Sequence, residues 1–368
     1  MRINNIFFFA MILLWLTSCK SDNLKNKPLV IDVNNFTNNV EMTDVFSSIK
    51  AINLELNENS LIGKYKKYLI FDTCLFILDI SDHSIVTFNL EGKFISRLKG
   101  KGKGPNEYPE IKDFDINPYD TTIDIMTKFG SVYRYNLNGD FFGKYYVPDT
   151  RAIHYIVNYS KNLVAFYTDL AGERLTLYSI KEDRIIRRFH KHPEYAIGVG
   201  VSPFHRYGDS VLLREAFGSC IYYLNKAKLE PFHCFDFKGK NIEPFEITGF
   251  GPEKLLNDAI TQELEIIYKS WATESNEFLI SSFKFKADIF TYIFHKKYSS
   301  GLLFKKFNND LVFFYSPTLY KNYLYALIPA NYLNLYINDQ VKNDFKISSL
   351  DSINEYSNPV LIISDLKK

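Results

Sequence analysis

Several groups of residues have types and spacings that could do chemistry. The loop Gly100-Lys101-Gly102-Lys103-Gly104-Pro105 could cradle a phosphate, because closely spaced glycines let backbone N–H groups approach an anion. It lacks the Gly-Lys-Ser/Thr ending that positions a lysine and a magnesium ligand, and it lies between strands instead of ahead of a long helix. A structural reading fits better: the glycines permit a tight crossing, and Glu107 and Tyr108 pin it by hydrogen bonds. A similar phrase, Gly249-Phe250-Gly251-Pro252-Glu253, recurs further along, as a connector would. Asp113, Asp115, Asn117, Thr121 and Asp124 occupy positions 1, 3, 5, 9 and 12 of a calcium-loop template. Position 6 needs glycine and holds Pro118, and Phe114 and Ile116 alternate with the acids, so a strand entering a turn is expected instead. His190 and His192 would share one strand face within reach of one metal, but a third ligand is not evident nearby. His154, His205 and His233 fall in separate repeats and could meet only by facing a common channel. The chain contains no Gly-x-Ser-x-Gly, His-Glu-x-x-His or Cys-x-x-Cys signature. No catalytic set, metal site or cofactor is assigned.

The cysteines carry a different chemistry. The N-terminus reads MRINN, then IFFFAMILLWL, then TSC. One arginine, a short apolar run and small residues before a cysteine fit a secretory signal peptide over residues 1–18. Leu16-Thr17-Ser18-Cys19 also resembles a bacterial lipobox, which implies cleavage before Cys19 and a diacylglyceryl group on its sulfur. An ordinary signal peptide or an uncleaved apolar anchor are the alternatives. Residues 19–28 then read as a flexible tether. Of the remaining cysteines, Cys74, Cys220 and Cys234, at least one must be free. Cys220 and Cys234 are symmetric about Ala227 and could bridge across a hairpin, although free and largely buried thiols are the plainer expectation.

The elements that would position these residues are announced by a recurring phrase. It reads IVTFN from Ile85, VYRYN from Val132, LTLYS from Leu175 and IYYLN from Ile221, each followed by a polar turn. The fifth positions, Asn89, Asn136, Ser179 and Asn225, are 47, 43 and 46 residues apart. A further copy from Ile289 comes 68 residues on, as if a segment had been inserted. Steps in the forties built from short strands indicate a β-propeller. From Ile52 onward, at roughly 45 to 50 residues per blade, the chain holds six blades. The expected fold is therefore all-β: a six-bladed propeller of four-stranded antiparallel blades over residues 29–368. One short helical insertion is expected between Gly251 and Trp271, where Leu255, Leu256, Ile260, Leu264 and Ile267 recur at helical spacing. A ring must also hide its edges. A strand within Leu29–Val33 or Ala51–Leu56 is expected to complete the blade containing Val360–Ser364.

Composition agrees. Aromatics make up 16% of the chain, with 32 Phe and 26 Tyr, as pleated and half-buried surfaces require. The net charge of +2 comes from 44 basic and 42 acidic residues mixed throughout, so no basic stripe exists to track a nucleic-acid backbone.

The segment 52–63 (INLELNENSLIG), the loop 100–116 and the ending NPVLIISDLKK resemble the six-bladed β-propeller lipoproteins of Bacteroidetes, related to NHL-repeat propellers. The resemblance implies this fold and a cell-envelope location, with no general activity attached. It also marks Gly102, Gly104, Pro105, Glu107 and Tyr108 as a signature loop that could bind. The expected function is a lipid-anchored, non-enzymatic binding or scaffold module for a peptide, glycan or partner protein. The anchor ties it to a membrane, expected to be the outer one, with the periplasmic and surface faces both open. Tyr108, Tyr119 and Tyr195 are expected to offer exposed contact area. The alternatives are an envelope hydrolase or lyase acting over the central channel, and a structural subunit of an envelope complex. Acids or histidines clustered at the channel would favour the enzyme.

Overall fold

A computed structural model describes residues 27–148, 153–168, 172–192, 201–215, 218–241 and 267–368. The chain begins with strand β1 (Leu29–Val30), a single helical turn α1 (Met42–Val45) and β2 (Phe46–Asn53). Six four-stranded blades follow or include these. Blade one is β3 (Tyr65–Phe71), β4 (Cys74–Asp79), β5 (Ser84–Asn89) and β6 (Phe94–Leu98). Blade two is β7 (Asp113–Asn117), β8 (Thr122–Met126), β9 (Ser131–Asn136) and β10 (Phe141–Tyr146). Blade three is β11 (Tyr155–Ser160), β12 (Leu163–Tyr167), β13 (Gly172–Ser179) and β14 (Arg184–His192). Blade four is β15 (Phe204–Tyr207), β16 (Ser210–Arg214), β17 (Cys220–Asn225) and β18 (Lys228–Asp236). Blade five is β19 (Ile267–Glu274), β20 (Phe278–Phe285), β21 (Asp288–His295) and β22 (Ser300–Phe304). Blade six is β23 (Thr318–Tyr320), β24 (Tyr323–Ile328), β25 (Val360–Leu366) and, from the other end of the chain, β2.

The recurring phrase marks one local structure. Asn89 Oδ1 accepts hydrogen bonds from the backbone N–H of Glu91 (3.1 Å) and Lys93 (2.8 Å). Asn136 Oδ1 does the same for Asn138 (3.0 Å) and Asp140 (2.9 Å). Each asparagine ends the third strand of a blade, and its side chain shapes the turn into the fourth. Gly92 sits in the first of these turns at φ +85°, and a Cβ there would lie 2.3 Å from the carbonyl oxygen of Asn53, so only glycine fits. Burial grades outward within a blade. All five residues of β7 and of β8 are buried, whereas β10 alternates between half-buried and exposed. Inner strands are sandwiched between blades, and outer strands keep one face in water.

The ring closes through β2, which pairs antiparallel with β25, Ala51 opposite Ile362. This is the expected closure, with β2 beginning earlier than the segment Ala51–Leu56. Leu29–Val30 does something else: it adds a fifth, parallel strand to the outer edge of blade four, Leu29 opposite Phe235. From there the chain straps the rim. Thr37 N–H donates to Leu303 O of blade five (2.7 Å), and Val40 O accepts from Asn308 N–H (2.9 Å) before β2 enters blade six. Ile31, Val33, Val40, Met42 and Val45 are buried beneath this strap.

Two sequence expectations need correction. Ile267 and Trp271, read as the end of an inserted helix, belong to β19, where Ile267, Lys269 and Trp271 are buried on alternate positions of a strand. The rest of that expected helix lies outside the described residues. Cys220 and Cys234, expected as free thiols, form a disulfide. They stand opposite one another in the β17–β18 hairpin, with Cα atoms 4.0 Å apart, after a bulge near Ile221 and Tyr222 adjusts the register. Cys74 is free and half-buried.

Candidate functional site

The inner strands β3, β7, β11, β15, β19 and β23 surround a cavity of about 1390 Å³. That exceeds the roughly 300–1,000 Å³ of an ordinary small-molecule pocket. All blades contribute to its wall, blade three through Tyr155.

Side chains stitch the diverging inner strands together. Asp113 Oδ2 accepts Ile156 N–H (2.9 Å), and Asp115 Oδ2 accepts Asn158 N–H (2.8 Å), so β7 and β11 run parallel with carboxylates standing in for a strand ladder. Lys67 reaches from blade one to Asp113 Oδ2 (3.0 Å) and Phe114 O (2.7 Å). Arg206 reaches from blade four to Asp115 (2.7 Å), Ile116 O (3.2 Å) and Asn158 O (2.9 Å). Thr273 Oγ1 accepts Leu319 N–H (2.7 Å) between blades five and six. The calcium-template residues are thus used otherwise. Asn117 caps its own turn through Tyr119 N–H (2.9 Å), and Asp124 lies on β8 against Arg134 (3.2 Å). Burial pushes Asp124 up to about 6 despite that arginine.

The two ends of the cavity differ. At the end where the inner strands begin stand Leu61, Tyr315, Tyr332 and Tyr356, all lining the cavity and all more than half exposed. Tyr332 and Tyr356 come from the long insertion between β24 and β25, which also contains a 3-10 turn (Ala330–Leu335) and α2 (Asp339–Phe345). At the end where the inner strands finish, Glu274 closes β19. Its side chain is fully buried. Its Oε1 lies 2.8 Å from His233 Nε2 and pairs with Lys296 Nζ, while Oε2 is buried without a partner. Desolvation would raise this carboxyl, but hydrogen bonding and charge from His233 and Lys296 hold it below its ordinary value. His205 on β15 lines the same cavity, and burial depresses its imidazole to about 4, so the ring is neutral at pH 7. Its Nε2 is also buried without a partner.

The glycine loop lies elsewhere: none of its residues lines the cavity. It folds on itself. Tyr108 N–H donates to Gly100 O (2.8 Å), Gly102 N–H to Tyr108 O (3.0 Å), and Gly104 N–H to Glu107 Oε2 (2.7 Å). The Tyr108 hydroxyl donates to His83 O (3.0 Å) in blade one, and its ring packs edge-on against Tyr133 and Tyr135 in blade two. A Cβ on Gly102 would meet Glu107 Oε2 at 1.9 Å. Tyr108, expected as exposed contact area, is wholly buried, because it is the bolt between two blades. Pro105 and Glu107 are exposed, and so is Tyr119, whereas Tyr195 lies outside the described residues.

The histidines also sort themselves. His190 and His192 are on β14, the outermost strand of blade three, and His154 precedes β11. His205 and His233 converge on Glu274 from an inner and an outer strand of blade four. Among the described residues no three His, Cys, Asp or Glu side chains are grouped to hold a metal. Sequence reasoning missed Glu274, because Thr-Glu-Ser-Asn reads as an ordinary exposed turn.

The model of a family described as a domain of unknown function, DUF4934, matches residues 28–365. Among curated proteins, none matches the chain. A solved Bacteroides fragilis protein described as exported is similar in structure, with a TM-score of 0.71 at 17% identity over 93% of this chain and 100% of that one. A solved member of the DUF4221 family from Bacteroides vulgatus gives a TM-score of 0.58 at 11% identity, over 88% of this chain and 97% of that one. At these identities the likeness carries the fold alone.

Proposed function

The chain belongs to the DUF4934 family, and from that premise we propose that it is a lipid-anchored envelope propeller that works by binding a ligand or partner in its central cavity. The observation that carries this reading is the cavity itself. It is large and walled by all six blades, with an aromatic mouth and a largely apolar lining among which most of the charges are paired. Paired charges and exposed rings suit recognition of a peptide, a glycan or a partner protein.

The envelope location is supported by the signal-like leader, the lipobox ending at Cys19 and the Cys220–Cys234 disulfide, which belongs in an oxidising compartment. The exported description of the Bacteroides fragilis structure accords with it. Placement on the outer membrane and kinship with NHL-type propellers rest on the sequence resemblance. If the glycine loop binds anything, the exposed turn at Pro105 and Glu107 would do so, apart from the cavity.

The test has two parts. Cys19→Ser should move the protein from the membrane fraction to the soluble fraction and abolish labelling by a radiolabelled fatty acid. The tagged, lipidated protein should capture a ligand or stoichiometric partner from envelope membranes, and Tyr356→Ala should weaken that capture. Capture unaffected by changes in the cavity would refute the reading.

A second reading, a hydrolase or lyase, draws on Glu274, His233 and His205. It requires a group poised near neutral pH. Glu274 is held ionised and already paired, and Asp124, the raised carboxyl, does not line the cavity. Binding is therefore the preferred conclusion.

A further inference from the structure

The innermost strand of each blade leaves one edge unpaired, and that edge faces the central cavity. On β7 the edge carbonyls are covered by cations from other blades. Lys66 Nζ donates to Lys112 O (2.6 Å), Lys67 Nζ to Phe114 O (2.7 Å) and Arg206 Nη2 to Ile116 O (3.2 Å). The three carbonyls belong to alternate residues, so the cations stand in a row, spaced roughly 7 Å apart along the edge. All three residues line the cavity, Lys66 and Lys67 from β3 and Arg206 from β15. The row is cationic on the side a ligand meets. Asp113 and Asp115, which pair with Lys67 and Arg206, have side chains no more than 3% exposed and turn toward β11. The Arg206 side chain is 30% exposed and that of Lys67 13%, and Lys66 is exposed. Donors also remain. All three bonds of Arg206 come from Nη2, which leaves the N–H groups of Nε and Nη1 without a protein acceptor, and both nitrogens reach solvent. Lys67 has three N–H groups and two acceptors. Building on the binding reading above, we infer that this row is an oxyanion site: the cavity takes a ligand bearing a carboxylate or phosphate group, whose oxygens bridge Lys67 and Arg206.

Two oxygens of one such group, each about 2.8 Å from a nitrogen, span a gap of this size. A cationic group would meet donors only. A neutral acceptor would take the same hydrogen bonds without the attraction between opposite charges, which the apolar walls strengthen. The carboxylates beneath the row offset Lys67 and Arg206, and Lys66 leaves the row with one positive charge in excess. Lys64 and Lys321 add exposed positive charge to the lining. The exposed acids that line it, Asp209 and Glu355, stand apart from the row, one in the turn after β15 and the other in the mouth insertion.

The test titrates the mature chain at low ionic strength with inorganic phosphate, with succinate and with its neutral counterpart succinamide, read by calorimetry. Phosphate or succinate should bind and succinamide should not, and the tighter of the two anions names the source of the oxyanion. Added salt should weaken the binding. Arg206→Gln should weaken it about tenfold or more, as the loss of a charge-assisted hydrogen bond implies, and Lys66→Gln several-fold. Lys66 is exposed, so its change leaves the fold intact even if Arg206→Gln, by stripping Asp115 of its partner, does not. No binding of either anion up to about 10 mM would overturn the site. So would succinamide binding as tightly as succinate, or an anion affinity unchanged in both variants. Capture of a ligand from envelope membranes that survives both changes would remove the oxyanion site while leaving the binding reading standing.

Discussion

The seam between blades six and one and the seam between blades four and five are built from different materials. The first is almost entirely apolar, with Ile62, Leu75, Ile77, Phe88, Tyr325, Leu327 and Leu361 buried together. Several of its polar groups are met. Asn358 donates to Glu55 O (2.8 Å) and Ser60 O (3.0 Å) and accepts from Ile62 N–H (2.9 Å), while Tyr65 and Tyr68 donate to Leu327 O (2.6 Å) and Tyr325 O (3.0 Å). The second shares an apolar half around Phe235 and Phe283 but also buries Arg214, Lys269 and Glu274, with half-buried His205 beside them. Arg214 donates to Lys269 O (2.6 Å), and Lys269 to Gly218 O. Buried ions of this kind contribute little net stability. The closing seam holds the ring together through apolar packing, whereas the charged seam buries Glu274 Oε2 and His205 Nε2 with no hydrogen-bond partner beside the cavity wall. That division separates the part of the propeller built for stability from the part that carries charge up to the cavity.

Removing apolar volume from the closing seam should have the largest effect. Leu361→Ala, at a fully buried position, should cost about 2–5 kcal/mol in urea denaturation. A loss below about 1 kcal/mol would break the contrast between the seams. Next, Cys234→Ser opens a disulfide spanning 14 residues beside His233 and should cost about 3 kcal/mol, seen equally as a lowered melting temperature in reductant.

The charged seam should then reveal itself through pH. His205 is neutral in the fold down to about 4, against an ordinary value of 6.5 in the unfolded chain. The unfolded chain therefore binds the extra proton between those values. Stability is full above about pH 6.5 and falls, by roughly 3 kcal/mol at most, as the pH drops toward 4. Asp124, raised to about 6, acts in the opposite sense over part of that window, so the quantity to measure is wild type minus His205→Gln. A difference that stays flat from pH 7 to 4 would remove His205 from the account. The smallest effect is expected outside both seams. Tyr108→Phe removes the hydroxyl bonds to His83 O and Gly100 N–H and should cost about 1 kcal/mol, with no effect on cavity binding.

The fold was legible because its turns repeat. Asn89 and Asn136 recur where a side-chain oxygen must accept two backbone N–H groups, so the blade period is written into the sequence. The closing segments were legible for a related reason. The 52–63 phrase and the Asn358-Pro359 ending that carried the family resemblance are the two halves of one clamp. The strap was only partly legible. Leu29–Val33 reads as a strand in the sequence, but its place on the edge of blade four does not, and between Val33 and Val40 the Asn-rich stretch shows no strand or helix period. The cavity residues were only partly so. Asp113 was noticed for the wrong chemistry and His205 as one of several separate histidines, and Glu274 looked like a turn residue. Their meeting depends on blade stacking, which no local pattern encodes. Tyr108 was misjudged because an aromatic in a glycine-rich loop looks exposed until a neighbouring blade covers it.

The most direct test is amide hydrogen exchange, with and without the ligand or partner captured from envelope membranes. Ligand should raise protection along Phe204–Tyr207 and Ile267–Glu274, the inner strands of the charged seam, and leave Phe46–Asn53 and Val360–Leu366 unchanged. Protection confined to the glycine loop, or spread evenly around the ring, would contradict the assignment of the cavity as the binding site.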